Sequence, residues 1–488
     1  GDTLNDSVVV WHSDYNKKLE EWTMKPKIKI ILTTPDVMRK WYKNCAVADK
    51  FVSSFVFNEG NFGQYSMTIF ERPDIPFRPM KIPKGPGMLY HLKWSALFVD
   101  EVQKYSNSNV DRCRAIASVS AHHRWVLSGT MFCEIKTNII LGYYLMIDHP
   151  TFPRSIPGTI KLLNSNNFVG FRESCVFREK NENFDVDAIG FETYVIDFKM
   201  TEEEEKAYTT IKKIMKNIQN RVNEYRINEM TVSARKFSSY LLASVTMLRQ
   251  SLVVPMLPIA SAMMDFLGFK YKSDLSRMVY EEIKSIGLNA WMNNPEAVFS
   301  TRMWETKKVI ESKPDEQVIV FTSFRSCLDI YRKFIEREFP YRTNFTIEST
   351  MTSKKRGEVI KKFRDSKKGI LLLTYSIGGE GHNLQTCRNI LILDYWWNSG
   401  VIKQAIARCL RPGQTQKVNT WFFTSNTGIE NCIFKKSSDK FDAIKEFETG
   451  KISTKLKEMK LDEIIKMMDD ENENRNVLSM VNKKTINA

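Results

Sequence analysis

A chain of 488 residues, at a typical domain size of about 150, divides into roughly three structural units, which excludes a single small domain. Hydrophobic residues at 42% and charged residues at 26% exclude a disordered chain. The balance of 72 basic against 57 acidic residues leaves a net charge of +15, which favours a polyanionic partner, nucleic acid first. No run of about 18 uninterrupted apolar residues occurs, and the start Gly1-Asp2-Thr3-Leu4 lacks the basic-then-apolar layout of a signal peptide. The expectation is an intracellular protein without a membrane partner. The eight cysteines are scattered with no Cys-x-x-Cys pair, so they read as reduced, mostly buried thiols, with neither a disulfide framework nor a zinc module.

In chain order, residues 1–195 alternate short apolar runs with helical stretches. Lys29-Ile30-Ile31-Leu32, Ala96-Leu97-Phe98-Val99 and Arg124-Trp125-Val126-Leu127 each end in small or polar residues, the mark of buried strands in a parallel α/β sheet. Residues 53–90 interrupt this with five prolines and several glycines, and read as an insertion of little regular structure. Thr201 followed by Glu202, Glu203, Glu204 and Glu205 opens a helix, since a hydroxyl cap and first-turn acids both complement the helix dipole; the four glutamates need no other role. Residues 196–285, poor in glycine, form a helical subdomain. Strands return at Val318-Ile319-Val320-Phe321, Ile370-Leu371-Leu372-Leu373 and Ile390-Leu391-Ile392-Leu393, marking a second α/β lobe over 286–440, and 441–488 read as a helical extension with a polar tail.

Chemistry concentrates where strands end. Asp100-Glu101 closes an apolar run at what would be a sheet's C-terminal edge, the ligand-bearing edge of α/β folds. One such carboxylate can hold Mg²⁺ through water while the next orients an attacking water, although an Asp-Glu pair there is also a common helix cap. Some 25 residues on, Leu127-Ser128-Gly129-Thr130 ends another strand, and the ordered pair is more specific than either alone. In the second lobe stand Gly378-Gly379-Glu380-Gly381-His382-Asn383-Leu384, then Asp394-Tyr395-Trp396-Trp397-Asn398, then Gln404-Ala405-Ile406-Ala407-Arg408-Cys409-Leu410-Arg411-Pro412-Gly413-Gln414.

These three stretches resemble motifs V and VI of the Swi/Snf-type ATPases, a branch of the superfamily two helicase-like motors. The resemblance extends to Ile31-Leu32-Thr33-Thr34-Pro35, to Trp94 through Gln103, to Leu127 through Thr130 and to Val320 through Phe324. It also covers Met247-Leu248-Arg249-Gln250 and the helix from Arg356 to Phe363, and in all spans residues 8 to about 440. It implies an α/β fold of two RecA-like parallel-sheet lobes with a helical subdomain between them, using ATP and Mg²⁺ to track along double-stranded DNA, usually without separating the strands. Asp100 would hold Mg²⁺ through water and Glu101 would activate water. Arg408 and Arg411, three apart on one helix face, would serve as arginine fingers, with Gln404 on the same helix near the cleft. Gly378, Gly379 and Gly381 would allow close approach to the nucleotide. Gln103, Ser128, Gly129 and Thr130 would couple nucleotide state to movement, and Thr33 and Thr34 would touch the DNA backbone.

The sequence departs from the family in several places. Gln103 stands for a usual His, Ser128 for Thr, Met131 for Pro, and Ser399 follows Asn398 where Pro is usual. No Gly-x-x-x-x-Gly-Lys-Ser/Thr occurs; Gly450-Lys451-Ile452-Ser453 lacks the upstream glycine, and the expectation is a P-loop lying outside this sequence. The cysteine pattern excludes the zinc-binding ring domain that the repair branch often inserts. Composition rich in Asn, Lys and Ile suggests a large DNA virus as source, with action in the nucleus or at a cytoplasmic replication site or virion. Three readings stand: a DNA-dependent ATPase motor serving transcription, chromatin or repair, with proteins of those processes as partners; a non-catalytic DNA-binding scaffold; and a strand-separating helicase.

Overall fold

The computed structural model describes residues 8–11, 30–43, 89–90, 94–128, 136–148, 153–163, 191–255, 257–258, 274–287, 299–378, 383–411, 414–425 and 427–448. They fall in two compact units, residues 1–178 with 442–456 and residues 179–441 with 457–488.

In the first unit β1 (Val8–Trp11) pairs in parallel with β2 (Ile30–Thr33), and β3 (Trp94–Val99) with β4 (Ala121–Val126). Around them lie α1 (Pro35–Lys43), α2 (Asp111–Ala117), α3 (Thr137–Ile147) and α4 (Ile156–Leu163). Proline suits the first turn of α1, because its missing N–H is an orphan there in any case. Trp11, Val99, Cys113, Ile116, Ile140, Tyr143 and Met146 form the core. Of the 53–90 insertion only its last two residues are described, and both are buried: Tyr90 Oη donates to Met38 O at 2.9 Å, and Leu89 O accepts Trp94 Nε1 at 3.1 Å.

In the second unit six strands form one parallel sheet: β5 (Phe191–Asp197), β6 (Val318–Thr322), β7 (Asn344–Ile347), β8 (Ile370–Thr374), β9 (Asn389–Ile392) and β10 (Val418–Thr424), in the order β5-β10-β9-β6-β8-β7. Strands β6, β8 and β9 are buried along their whole length, which is why they read as unbroken apolar runs. Their side chains still alternate: Val318, Val320, Ile370, Leu372 and Leu391 enter one core, and Ile319, Phe321, Leu371, Leu373, Ile390 and Ile392 the other. The sequence reading ended the first lobe at 195, yet residues 191–197 form the edge strand of this second sheet, with Phe191 opposite Val418 and Asp197 opposite Thr424. Hydrogen bonding along β10 fixes that assignment, and a strand's own sequence does not state which sheet it joins.

The helical block is a hairpin of α5 (Glu202–Ile227) and α6 (Thr231–Val253) with α7 (Asp274–Ser285), and it has its own core of Ile211, Ile214, Met215, Ile218, Leu241, Val245 and Leu248. Thr201 and Glu204 form the expected capping box, with Glu204 N–H to Thr201 Oγ1 at 3.3 Å and Thr201 N–H to Glu204 Oε2 at 2.8 Å. Glu204 does more than complement a dipole. Its Oε1 accepts Thr301 N–H at 2.7 Å and its Oε2 accepts Thr301 Oγ1 at 2.6 Å, so one carboxylate also binds the first residue of α8 (Thr301–Glu311). The remaining helices are α9 (Arg325–Glu338), α10 (Ser353–Asp365), α11 (Tyr375–Gly378), α12 (Ser399–Ile406) and α13 (Gly428–Glu448).

Arg302, on α8, is 0% exposed. Its guanidinium bonds the Glu430 carboxylate, Leu393 O and Phe423 O, the last at 3.0 Å, and lies over the Phe198 ring at 5.2 Å. Removing one partner of such a pair strands a buried charge. Arg302→Met is expected to destabilise the second unit by about 3–5 kcal/mol. Glu430→Gln, which keeps the shape but strands the Arg302 charge, is expected to cost a comparable amount. Urea denaturation followed by circular dichroism checks both, and a loss below about 1 kcal/mol in either would contradict the charge argument.

The described cysteines 113, 327, 387, 409 and 432 are buried. Burial pushes the Cys113 and Cys387 thiols up to about 12 and that of Cys432 to about 11. The reactive thiolate is therefore scarce at pH 8. These three are expected to resist iodoacetamide in the native protein at pH 8 and to react once it is unfolded, which peptide mass spectrometry would read.

Candidate functional site

In the first unit a groove of about 1120 Å³ is lined by residues that the sequence singled out separately: Thr33 and Thr34 from the end of β2, Asp100 and Glu101 from the end of β3. Parallel pairing brings strand exits together. Leu127 N–H donates to Val99 O at 2.8 Å and Val102 N–H to Leu127 O at 3.1 Å, so the turn after β3 and the exit of β4 are laced side by side.

Across that lacing runs a side-chain chain. Ser128 Oγ donates to Gln103 Oε1 at 2.6 Å, and Gln103 Nε2 donates to Glu101 Oε2. An amide suits this middle position, since it accepts at one end while donating at the other. Gln103 thus links the turn after β3 to the exit of β4. Glu101 itself has φ 50° and ψ 41°, the left-handed region that favours glycine, and its N–H donates to Asp100 Oδ1 at 2.8 Å. A non-glycine residue held there costs on the order of 1–3 kcal/mol, and such strain clusters at functional sites. The sequence offered no sign of it. The Asp100-Glu101 pair does not cap an α-helix; a single 3₁₀ turn over Val102–Lys104 follows it.

Thr33 and Thr34 are engaged within the fold. Thr33 Oγ1 donates to Trp11 O at 3.3 Å, while Thr34 Oγ1 accepts Val37 N–H at 3.4 Å and its carbonyl accepts Met38 N–H at 3.0 Å, the N-cap pattern for α1. Their side chains are half-buried at the groove.

In the second unit Asn398 caps α12, accepting Gly400 N–H at its Oδ1 at 2.8 Å. The sequence placed Gln404, Arg408 and Arg411 on one helix. Gln404 is on α12, but α12 ends at Ile406 and both arginines lie in the turns that follow. Arg408 N–H returns to Ala405 O at 3.2 Å and Arg411 N–H to Cys409 O at 3.2 Å, tighter than helical spacing. Pro412 bears only on Arg411, because a proline disfavours helical backbone in the residue before it, and the helix has already stopped at Ile406. Arg408 is buried, and its carbonyl accepts Leu384 N–H at 3.1 Å, which ties the arginine turn to the segment after the glycine cluster. Gln414, quoted in the motif but given no role, locks the far side: its Nε2 donates to Gln385 O at 2.8 Å and its Oε1 accepts Thr415 and Gln416 N–H at 3.1 Å each. Gly378 closes α11, while Gly129, Thr130, Gly379 and Gly381 lie outside the described residues.

Asp100 is exposed at the groove rim and offers the single hard oxygen donor that Mg²⁺ takes when most of its shell is water. Among the described residues no group of three or more His, Cys, Asp or Glu is placed to hold a metal by itself. No described helix is long and apolar enough to cross a membrane.

Residues 302–413 match the helicase conserved C-terminal domain. The chain is 25% identical to a putative helicase of Invertebrate iridescent virus 6 over a 509-residue alignment covering 94% of this chain and 79% of that protein. It is 31% identical to the DNA repair protein RAD5 of Yarrowia lipolytica over 160 residues, which cover 33% of this chain and 15% of RAD5. The SWI2/SNF2 ATPase core of Sulfolobus solfataricus in complex with double-stranded DNA aligns over 95% of this chain and 81% of its own at 17% identity, with a TM-score of 0.35. The chain is a mixed α/β protein that carries a helicase conserved C-terminal domain over residues 302–413 and is similar along most of its length to a viral helicase-type protein.

The Ser128–Gln103–Glu101 chain makes a local prediction. Gln103→Ala removes both links, each worth about 1 kcal/mol, and amide exchange across residues 100–104 is expected to rise several-fold while the second unit is unchanged. Unaltered exchange there would mean that the chain does not hold Glu101.

Proposed function

We propose that this chain carries most of the machinery of a DNA-stimulated ATPase that tracks along duplex DNA, in transcription, chromatin remodelling or repair. The observation that carries the reading is Glu101, held in a strained backbone beside Asp100 and tethered through Gln103 to Ser128 at the exits of two paired strands. A carboxylate fixed in this way can orient a water, and its neighbour can hold the metal. Mg²⁺ at Asp100 would supply Lewis-acid stabilisation of phosphate charge. Gln103 holds the Glu101 side chain, and Ser128 orients Gln103 in turn. Arg408 and Arg411 supply guanidinium groups suited to phosphate oxygens, with Gln404 one turn earlier. Gly378, Gly379 and Gly381, which carry no side chain, would suit a close approach of nucleotide phosphate, and Gly129 and Thr130 follow Ser128 in the coupling segment. Thr33 and Thr34 present the N-terminus of α1 to the groove, where a DNA phosphate can be met without reading sequence. The excess of 72 basic over 57 acidic residues supports a nucleic-acid track.

The sequence holds no Gly-x-x-x-x-Gly-Lys-Ser/Thr, so these residues account for the metal and the water but not for the cradle of the β- and γ-phosphates. A second reading, a DNA-binding scaffold on a motor fold, holds if the complete reading frame carries no such loop. The test is ATP hydrolysis by the product of the complete reading frame, with and without duplex DNA, beside the 488-residue chain. The motor reading expects DNA-stimulated turnover in the former. Glu101→Gln, Arg408→Ala and Arg411→Ala are each expected to lower it by roughly 10³-fold or more. Unchanged turnover in all three overturns it. No hydrolysis in either protein, with DNA binding that weakens as salt rises, selects the scaffold. Robust strand displacement on forked DNA would select a helicase that separates strands.

A further inference from the structure

The sheet of the second unit has a topological switch point. From β6 the chain winds through β7 and β8 on one side, then through β9 and β10 on the other, so a crevice opens above the carboxyl ends of β6, β8 and β9. In open α/β sheets that crevice ordinarily receives a ligand. Here a side chain of the helical block enters it. Arg249, on α6, is 7% exposed, and its Nη2 donates to Ser323 Oγ at 3.1 Å, Asp394 Oδ2 at 3.3 Å and Tyr395 O at 2.9 Å. Asp394 is itself saturated. Its Oδ1 accepts Thr322 Oγ1 and Ser323 N–H at 2.8 Å each, Ser323 Oγ also bonds Oδ2, and its carbonyl accepts Tyr375 Oη at 2.7 Å. Three rings enclose the guanidinium, with centroids 4.9 Å away for Phe324, 5.0 Å for Trp396 and 5.9 Å for Trp397.

Two of those rings and one acceptor carbonyl belong to a single stretch, Tyr395–Trp397, and the next residue is Asn398, the cap of α12. From that cap α12 runs eight residues through Gln404 into the turn of Arg408 and Arg411. We propose that Arg249 is a positioning residue: by gripping residues 394–397 it sets the register of α12 and so the placement of the arginine turn. Its functional meaning rests on the reading of Arg408 and Arg411 given above. A plain packing role would be met by any long side chain. The planar fork stacked among rings, bonding a carboxylate, a hydroxyl and a carbonyl together, is a task that lysine does not reproduce. A path through contacts becomes a coupling only when both ends respond.

The test is hydrogen exchange on the 488-residue chain bearing Arg249→Lys, comparing residues 395–411 with β6 and β8. The expected result is exchange faster by about tenfold or more over 395–411, with the strands unchanged. No change over 395–411, or an equal rise in the strands, overturns the proposal. If Arg249→Lys fails to fold, Asp394→Asn, which leaves the shape and removes the charge, decides by the same criterion. In the product of the complete reading frame, Arg249→Lys is expected to lower kcat about tenfold with the Kd for DNA changed less than twofold. A matching loss of DNA affinity with kcat intact would overturn positioning of the arginine turn. A wild-type protein inactive with DNA would remove the motor reading and leave the exchange result standing.

Discussion

The second unit is organised around a charge that water does not reach. Arg302 sits where α8 crosses the carboxyl ends of β9 and β10, and its bonds to Leu393 O and Phe423 O hold those two strand ends side by side. A buried guanidinium is tolerated only when its charge is answered, and here Glu430, two carbonyls and the Phe198 ring answer it through Nη1, Nη2 and the guanidinium face, while Nε has no hydrogen-bond partner. Glu430 is answered in turn by Ser425 N–H at 2.9 Å and Ser425 Oγ at 2.8 Å, at the start of α13. With β9 fixed in this way, Asp394 emerges one residue beyond Leu393 at the sheet edge, where Arg249 meets it. Two arginines from two helices therefore grip adjacent residues of one strand exit, one from within the core and one at its border.

Much of this was legible in the sequence, for reasons that can be stated. The strands β6, β8 and β9 were visible because burial on both faces demands unbroken apolar runs. The capping box at Thr201 was visible because its chemistry is local. The Asp100-Glu101 pair and Ser128 were found separately, and their connection was given only by resemblance; it became geometry when β3 and β4 paired in register and laced their exits.

The errors share a cause, which is that burial and sheet membership are properties of the whole fold. Arg302 drew no reading at all and Arg249 entered only through the Met247–Gln250 resemblance, because an arginine on a helix looks exposed in sequence and only the assembled sheet shows these two to be enclosed. Residues 191–197 hold the short apolar run Tyr194-Val195-Ile196 of a strand but no label naming a sheet. The arginine turn was read as helix because three-residue spacing fits one, although Pro412 was present as a warning one residue further on. The left-handed backbone of Glu101 left no trace at all, since glycine is the residue that would have announced it.

Glu204 also closes a long loop. By capping α5 and binding Thr301 at once, it joins two points 97 residues apart in sequence. The chain leaves the sheet after β5, builds a helical hairpin with its own core, and comes back to the carboxylate from which it set out. A segment whose two ends are pinned to one another is insulated from its own length, because lengthening a closed loop adds little entropy. The helical block is in that sense a cassette, free to gain or shed turns at its far end while the sheet beneath keeps its register.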